Sequence, residues 1–105
     1  WSQENRSQLI RIPAAAPENR RIELRSPDPA ANPYIAYALL IYAGIDGIER
    51  ELAACEPSNT NLYRAEEADT RGLGKLPETL EEARQLAKSS AIVREVLPAE
   101  LVEQI

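Results

Sequence analysis

The stretch that most limits how this chain can fold begins at Asn32. Tyr34-Ile35-Ala36-Tyr37-Ala38-Leu39-Leu40-Ile41-Tyr42-Ala43 carries no charge, and at 3.6 residues per turn it is apolar on nearly every side. Asn32 can cap such a helix, and Pro33 falls at its first position, where a missing N–H costs nothing. One long helix is predicted from residue 34 to about residue 52, turning charged at Asp46, Glu49, Arg50 and Glu51. Gly44 and Gly47 lie inside it, each costing about 1 kcal/mol against alanine, which points to close packing against a neighbour. A helix of this kind is a buried one, and a chain of 105 residues has little with which to cover it. Part of its surface is expected to lie against further chain or another subunit. The uncharged run is short of the ~20 residues needed to span a bilayer.

Two strands are expected before the helix. Gln8-Leu9-Ile10-Arg11-Ile12 is β-branched and stopped by Pro13. Arg21-Ile22-Glu23-Leu24-Arg25 alternates, so Ile22 and Leu24 should face a core while Arg21, Glu23 and Arg25 face the other way. The link between them holds two prolines and three alanines and is too long for a tight turn. Ser26-Pro27-Asp28-Pro29 ends the ladder. After the long helix, residues 55–77 read as irregular, with Gly72-Leu73-Gly74-Lys75 a turn and not a phosphate loop. Thr79-Leu80-Glu81-Glu82 is a capping box, followed by an apolar stripe of Leu80, Ala83, Leu86 and Ala87. Ser89 or Ser90 starts a further helix carrying Ile92, Val93 and Val96, and Pro98 opens a last one with Leu101, Val102 and Ile105. The fold class is α+β: a β-hairpin, a long buried helix and several short helices, all one segment (1–105) of a larger catalytic domain. The start at Trp1, without an initiator methionine or leader, fits such a segment.

Composition removes several functions. With 44% hydrophobic and 28% charged residues the chain is globular, not disordered. The absence of histidine excludes His-based triads, His general bases and His-ligated zinc. The single cysteine, Cys55, excludes an internal disulfide and fits a reducing compartment; a packed thiol is expected. A net charge of −5 disfavours nucleic acid. The charge is nevertheless uneven. Residues 1–25 hold five arginines against three acids, whereas residues 26–105 hold seven basic against fourteen acidic side chains. Arginine is the planar fork that matches carboxylate and phosphate oxygens. Arg21, Glu23 and Arg25 thus set plus, minus, plus along one strand face. That row can be a structural salt-bridge ladder. It can equally be a site where a carboxylate holds a divalent cation beside phosphates neutralised by guanidinium groups, with Arg6 and Arg11 closing over it.

The residues themselves resemble a family. Trp1-Ser2-x-x-Asn5-Arg6-Ser7, Ile10-Arg11-Ile12-Pro13, the run from Arg21-Ile22-Glu23-Leu24-Arg25 through Asn32-Pro33-Tyr34, Ala43-Gly44-Ile45-Asp46-Gly47-Ile48, Asn61-Leu62-Tyr63 and Leu76-Pro77-Glu78-Thr79-Leu80-Glu81-Glu82-Ala83 are together similar to the C-terminal part of bacterial-type glutamine synthetase. The resemblance covers essentially the whole chain. It implies an ATP-dependent ligase that makes glutamine from glutamate and ammonia through γ-glutamyl phosphate, with Mg²⁺ or Mn²⁺ on the phosphates, in a cytoplasmic homo-oligomeric ring. It also implies roles. Arg6 is similar to the arginine reaching both nucleotide phosphate and glutamate, Arg11 to a nucleotide-phosphate contact, and Arg21 to the arginine steadying the transferred phosphoryl group. Glu23 resembles a metal-ligating glutamate and Arg25 the arginine that holds the glutamate α-carboxylate. Arg6 and Arg21 are therefore the expected catalytic pair. Two departures stand out. Pro17-Glu18-Asn19 occupies a place where some members carry a nucleotide-contacting lysine. Arg64 follows Tyr63 where members adenylylated at that tyrosine have an acidic residue. The alternatives are a γ-glutamyl–amine ligase of the polyamine type, from the same superfamily, and a non-catalytic anion-binding or interaction module. On the family reading this stretch alone should be inactive.

Overall fold

The structure, a computed structural model, describes residues 1–66, 70 and 72–105. The chain forms two compact units, one of residues 1–29 and 53–73, the other of residues 30–52 and 74–105. The architecture is α+β, a two-stranded antiparallel hairpin and four helices.

In the first unit, β1 (Ile10–Arg11) pairs with β2 (Glu23–Leu24) in the register Ile10 opposite Leu24 and Arg11 opposite Glu23. The Arg25 amide extends the ladder by donating to the Leu9 carbonyl at 2.9 Å. Both strands are shorter than the alternation predicts. The link takes a 3-10 turn at Pro17–Asn19, and the Ile12 amide pairs elsewhere, with the Ser2 carbonyl at 2.9 Å. Ser2 returns its own amide to the Ile10 carbonyl at 3.1 Å and is fully buried. The free edge of β1 is thus covered by residues 1–2, which removes an exposed strand edge. Ile22 lies beyond the paired residues and is 68% exposed, so the expectation that it joins Leu24 in a core is wrong. Cys55 is also exposed rather than packed; its carbonyl accepts the Trp1 indole N–H at 2.7 Å. Of the irregular stretch 55–77, residues 67–69 and 71 lie outside the described residues, and the rest is turn or irregular. Gly72, at φ +84°, sits in a turn closed by the Leu73 amide on the Thr70 carbonyl.

The second unit is helical. α1 (Pro33–Glu49) starts where Asn32 and Pro33 say it should, with the Asn32 side-chain oxygen accepting from the amides of Tyr34 and Ile35. α2 (Leu80–Ser89) has the full capping box: the Thr79 hydroxyl accepts from the Glu82 amide, and the Glu82 carboxylate accepts from the Thr79 amide. Ser90 caps α3 (Ala91–Val96), and α4 (Ala99–Gln104) follows Pro98. α1 and α2 each pack on α3, and α3 on α4. At the α1–α3 contact the Tyr42 phenol is pushed up to about 12 by its hydrogen-bonding interaction with the Glu95 carboxylate, by burial, and by the charges of Glu95, Asp46 and Glu49.

This helical unit covers little of α1. Tyr34, Tyr37, Ile41 and Ile48 are each more than 60% exposed, as the all-round apolar pattern requires when little is available to bury it. Leu97 is the buried hydrophobe among the described residues. A Cβ on Gly44 or Gly47 would meet nothing within 4 Å. Close packing within the helical unit is therefore not what those glycines serve.

α1 ends in a Schellman arrangement. The Leu52 amide reaches the Gly47 carbonyl at 3.0 Å and the Glu51 amide the Ile48 carbonyl at 3.1 Å. Glu51 occupies the left-handed position at φ 50°, where glycine is the residue without a Cβ penalty. Glu51→Gly should stabilise the chain by about 0.5–1 kcal/mol. Urea unfolding of the two proteins measures it, and a midpoint that fails to rise contradicts this account of the cap.

Candidate functional site

The hairpin register decides which charges meet. With Arg11 directly opposite Glu23, the Arg11 guanidinium reaches the Glu23 carboxylate at 2.6 Å. Arg21, two residues back on the same face, reaches the other carboxylate oxygen at 3.6 Å. Arg25 adds its field from the other side of Glu23 along the strand. The Arg11 hydrogen bond above all, with the charges of Arg11, Arg21 and Arg25, holds the Glu23 carboxyl below its ordinary value of 4.5, against an opposing contribution from burial. The Glu23 and Arg11 side chains are 31% and 18% exposed, so the pair is partly withdrawn from solvent. Arg11 Nε is buried without a partner among the described residues, so part of a well-placed donor fork is unused.

Arg6 is placed by different means. It lies in a turn, exposed, between Asn5 and Ser7. The Asn5 side-chain amide donates to the Thr60 carbonyl at 2.6 Å, and its Oδ1 accepts from the Ser7 amide at 2.9 Å and the Ser7 hydroxyl at 2.7 Å. The Leu62 amide donates to Ser7 Oγ at 2.9 Å, and the Gln8 side chain to the Thr60 carbonyl at 3.3 Å. Tyr63, 77% exposed, sets its hydroxyl 3.5 Å from the Arg6 carbonyl. Sequence reasoning singled out Arg6 but missed this polar clamp. An Asn-x-Ser triplet is a known turn former, but nothing in its spacing names Thr60 as the partner.

What the arrangement can do follows from its donors. Arg11, Arg21 and Arg25 about a single carboxylate on one hairpin, with Arg6 in the preceding turn, suit a multiply charged anion. Neither Arg6 nor Arg25 makes a side-chain hydrogen bond or ion pair among the described residues, so their guanidinium groups are unspent. For a divalent cation the fit is partial. Glu23 offers one hard oxygen ligand, whereas Mg²⁺ takes six ligands, several of them waters. Among the described residues no three His, Cys, Asp or Glu side chains come together. The described residues can contribute to a metal site but do not by themselves make one.

The model of the glutamine synthetase catalytic domain matches residues 1–105. The chain belongs to the glutamine synthetase catalytic-domain family. Among curated relatives it is 48% identical over 99 residues to the glutamine synthetase of Methanosarcina mazei, covering 92% of this chain and 22% of that protein. It is 42% identical over 106 residues to that of Staphylococcus aureus strain N315 (99% and 24%). With that of Methanococcus maripaludis it shares 35% over 105 residues (98% and 24%). The chain thus spans about a quarter of the length of these glutamine synthetases.

The Glu23 carboxyl should titrate below the ordinary glutamate range, and Arg11→Met should return it toward that range. A depressed folded value means that the pair's contribution to stability is complete above the unfolded pKa. It is lost as pH falls through the folded one. Carbon-detected NMR titration of the Glu23 side chain reads this directly; an unshifted midpoint in the unaltered protein contradicts the pairing.

Proposed function

We propose that the chain is the part of an ATP-dependent glutamate–ammonia ligase that supplies the arginine-lined wall of its active site. The observation that carries this reading is the cluster of Arg11, Arg21 and Arg25 about Glu23 on one hairpin, in a chain of the glutamine synthetase family. In the proposed reaction a glutamate γ-carboxylate oxygen attacks the γ-phosphorus of ATP and ADP leaves. Ammonia then attacks the γ-glutamyl phosphate, expelling phosphate and losing a proton. Negative charge gathers on the phosphoryl oxygens in the first step, and fixed cations placed there stabilise it without reorganising. Arg11 and Arg6 would neutralise nucleotide phosphates, and Arg21 the group in transfer. Arg25, with an unspent planar fork, suits the two oxygens of the glutamate α-carboxylate.

Mg²⁺ or Mn²⁺, when bound, supplies further charge neutralisation on the phosphates. Glu23 would be one ligand, with the others elsewhere in the longer protein, and it would exchange part of its pairing with Arg11 for the cation. The isolated 105-residue chain, with a single such ligand among the described residues, is expected to be inactive. A cytoplasmic ring of identical subunits is the proposed setting, and the exposed apolar face of α1 is compatible with it.

Two substitutions in the full-length protein test the assignment. Glu23→Gln keeps the shape and removes a charged oxygen, so the metal concentration for half-maximal rate should rise about tenfold or more. Arg25→Lys keeps the charge and loses the fork, so the glutamate KM should rise about tenfold or more while that for ATP changes little. If both variants keep normal metal and glutamate dependence, the hairpin is a structural ladder and the proposal fails.

A further inference from the structure

Arg6 differs from the other arginines in how its backbone is held. Arg11 and Arg25 sit in or beside the ladder, where register alone fixes them. Arg6 sits in a turn with no ladder bond of its own, and its side chain is exposed. A long, flexible guanidinium on an unsupported turn would sample many positions, and a misplacement of about 1 Å at a reacting group can cost 10²-fold in rate. Both neighbours of Arg6 are nevertheless tied to a segment more than fifty residues away. Asn5 is bound to the Thr60 carbonyl at 2.6 Å, and Ser7 Oγ is bound by the Leu62 amide at 2.9 Å. The two are also bound to each other through Asn5 Oδ1, which accepts from the Ser7 amide and hydroxyl. Behind them, the buried Ser2 hydroxyl spans the Asn5 amide and carbonyl, both at 3.0 Å.

We infer that Asn5 and Ser7 are positioning residues for Arg6: they fix the turn from both sides against Thr60 and Leu62, so that the guanidinium is presented to the substrate anion from a rigid base. This rests on the proposed ligase reading, in which Arg6 meets nucleotide and glutamate. It adds that the segment 60–62 acts on the reaction without touching substrate. The Tyr63 hydroxyl against the Arg6 carbonyl is part of the same base.

The experiment uses the full-length ligase with Ser7→Ala, Ser7→Thr, Asn5→Ala and Arg6→Lys, and the first three again in the Arg6→Lys background. Ser7→Ala and Asn5→Ala should each lower kcat about tenfold or more, and Ser7→Thr, which keeps the hydroxyl, should restore most of it. In the Arg6→Lys background the further loss should largely vanish, because the group being positioned has already been compromised. A purely structural role predicts the opposite. Losses would then multiply with that of Arg6→Lys and follow the melting temperature. That outcome, or wild-type kcat in Ser7→Ala and Asn5→Ala, overturns the inference while leaving the ligase reading intact. Should Ser7→Ala not fold, the Asn5→Ala cycle with Arg6→Lys decides by the same criterion. If Arg6→Lys itself ligates at the wild-type rate, the proposed role of Arg6 fails, and the clamp with it.

Discussion

The ion pair between Arg11 and Glu23 is the contact on which the rest of the site depends. Only two residues of each strand pair, so the register is held by few hydrogen bonds, and a 2.6 Å charge-assisted bond across the ladder is a large share of what fixes it. A slip of one residue would turn Glu23, together with Arg21 and Arg25, to the opposite face and separate it from Arg11. Held as it is, the register completes a set of three arginines about one carboxylate, and the Arg11 hydrogen bond above all, with the charges of the three, lowers its pKa from the ordinary value. On the proposed reading, structure and chemistry therefore draw on the same side chains. The pair that sets the strands is also the one whose oxygen suits a cation and whose guanidinium retains an unused donor.

Around that hairpin, distant parts of the chain supply support. Ser2 covers the outer edge of β1, and residues 60–62 brace the turn that carries Arg6. The helical unit shows a different economy. The N-termini of α1, α2 and α3 are each capped by a side chain, yet Tyr34, Tyr37, Ile41 and Ile48 remain largely exposed along α1. Local signals suffice to form these helices, whereas burial of α1 asks for surface that the helical unit does not provide. For a chain that spans about a quarter of its curated relatives, this division is physically coherent.

What could be read from the sequence follows the range of the interaction. Asn32 with Pro33, Thr79 with Glu82, and Ser90 announce helix starts because each cap bonds within three residues of itself. The shared face of Arg21 and Glu23 follows from the two-residue period of a strand. Ile22 misled because alternation says which way a side chain points only while the strand continues, and this one is paired only from Glu23. The Asn5–Thr60 and Ser7–Leu62 bonds were invisible because polar side chains advertise no partner fifty residues away. Gly44 and Gly47 invited a packing explanation that the described residues of the helical unit do not supply. The identities of the site arginines came through resemblance; the meeting of Arg11 with Glu23 came through the register.

The central claim is that Arg11 and Glu23 serve both the fold and the chemistry, and these can be separated in one set of variants of the full-length enzyme. Glu23→Gln alone leaves a partly buried guanidinium unpaired, so the melting temperature should fall. Adding Arg11→Met removes the orphaned charge and should return much of that stability. Metal-dependent glutamine formation should not return with it, since neither the proposed metal ligand nor the proposed phosphate-facing guanidinium has been restored. Recovery of stability without recovery of ligation is the predicted result. A double variant that regains both contradicts the account and reduces the pair to a strut between two strands.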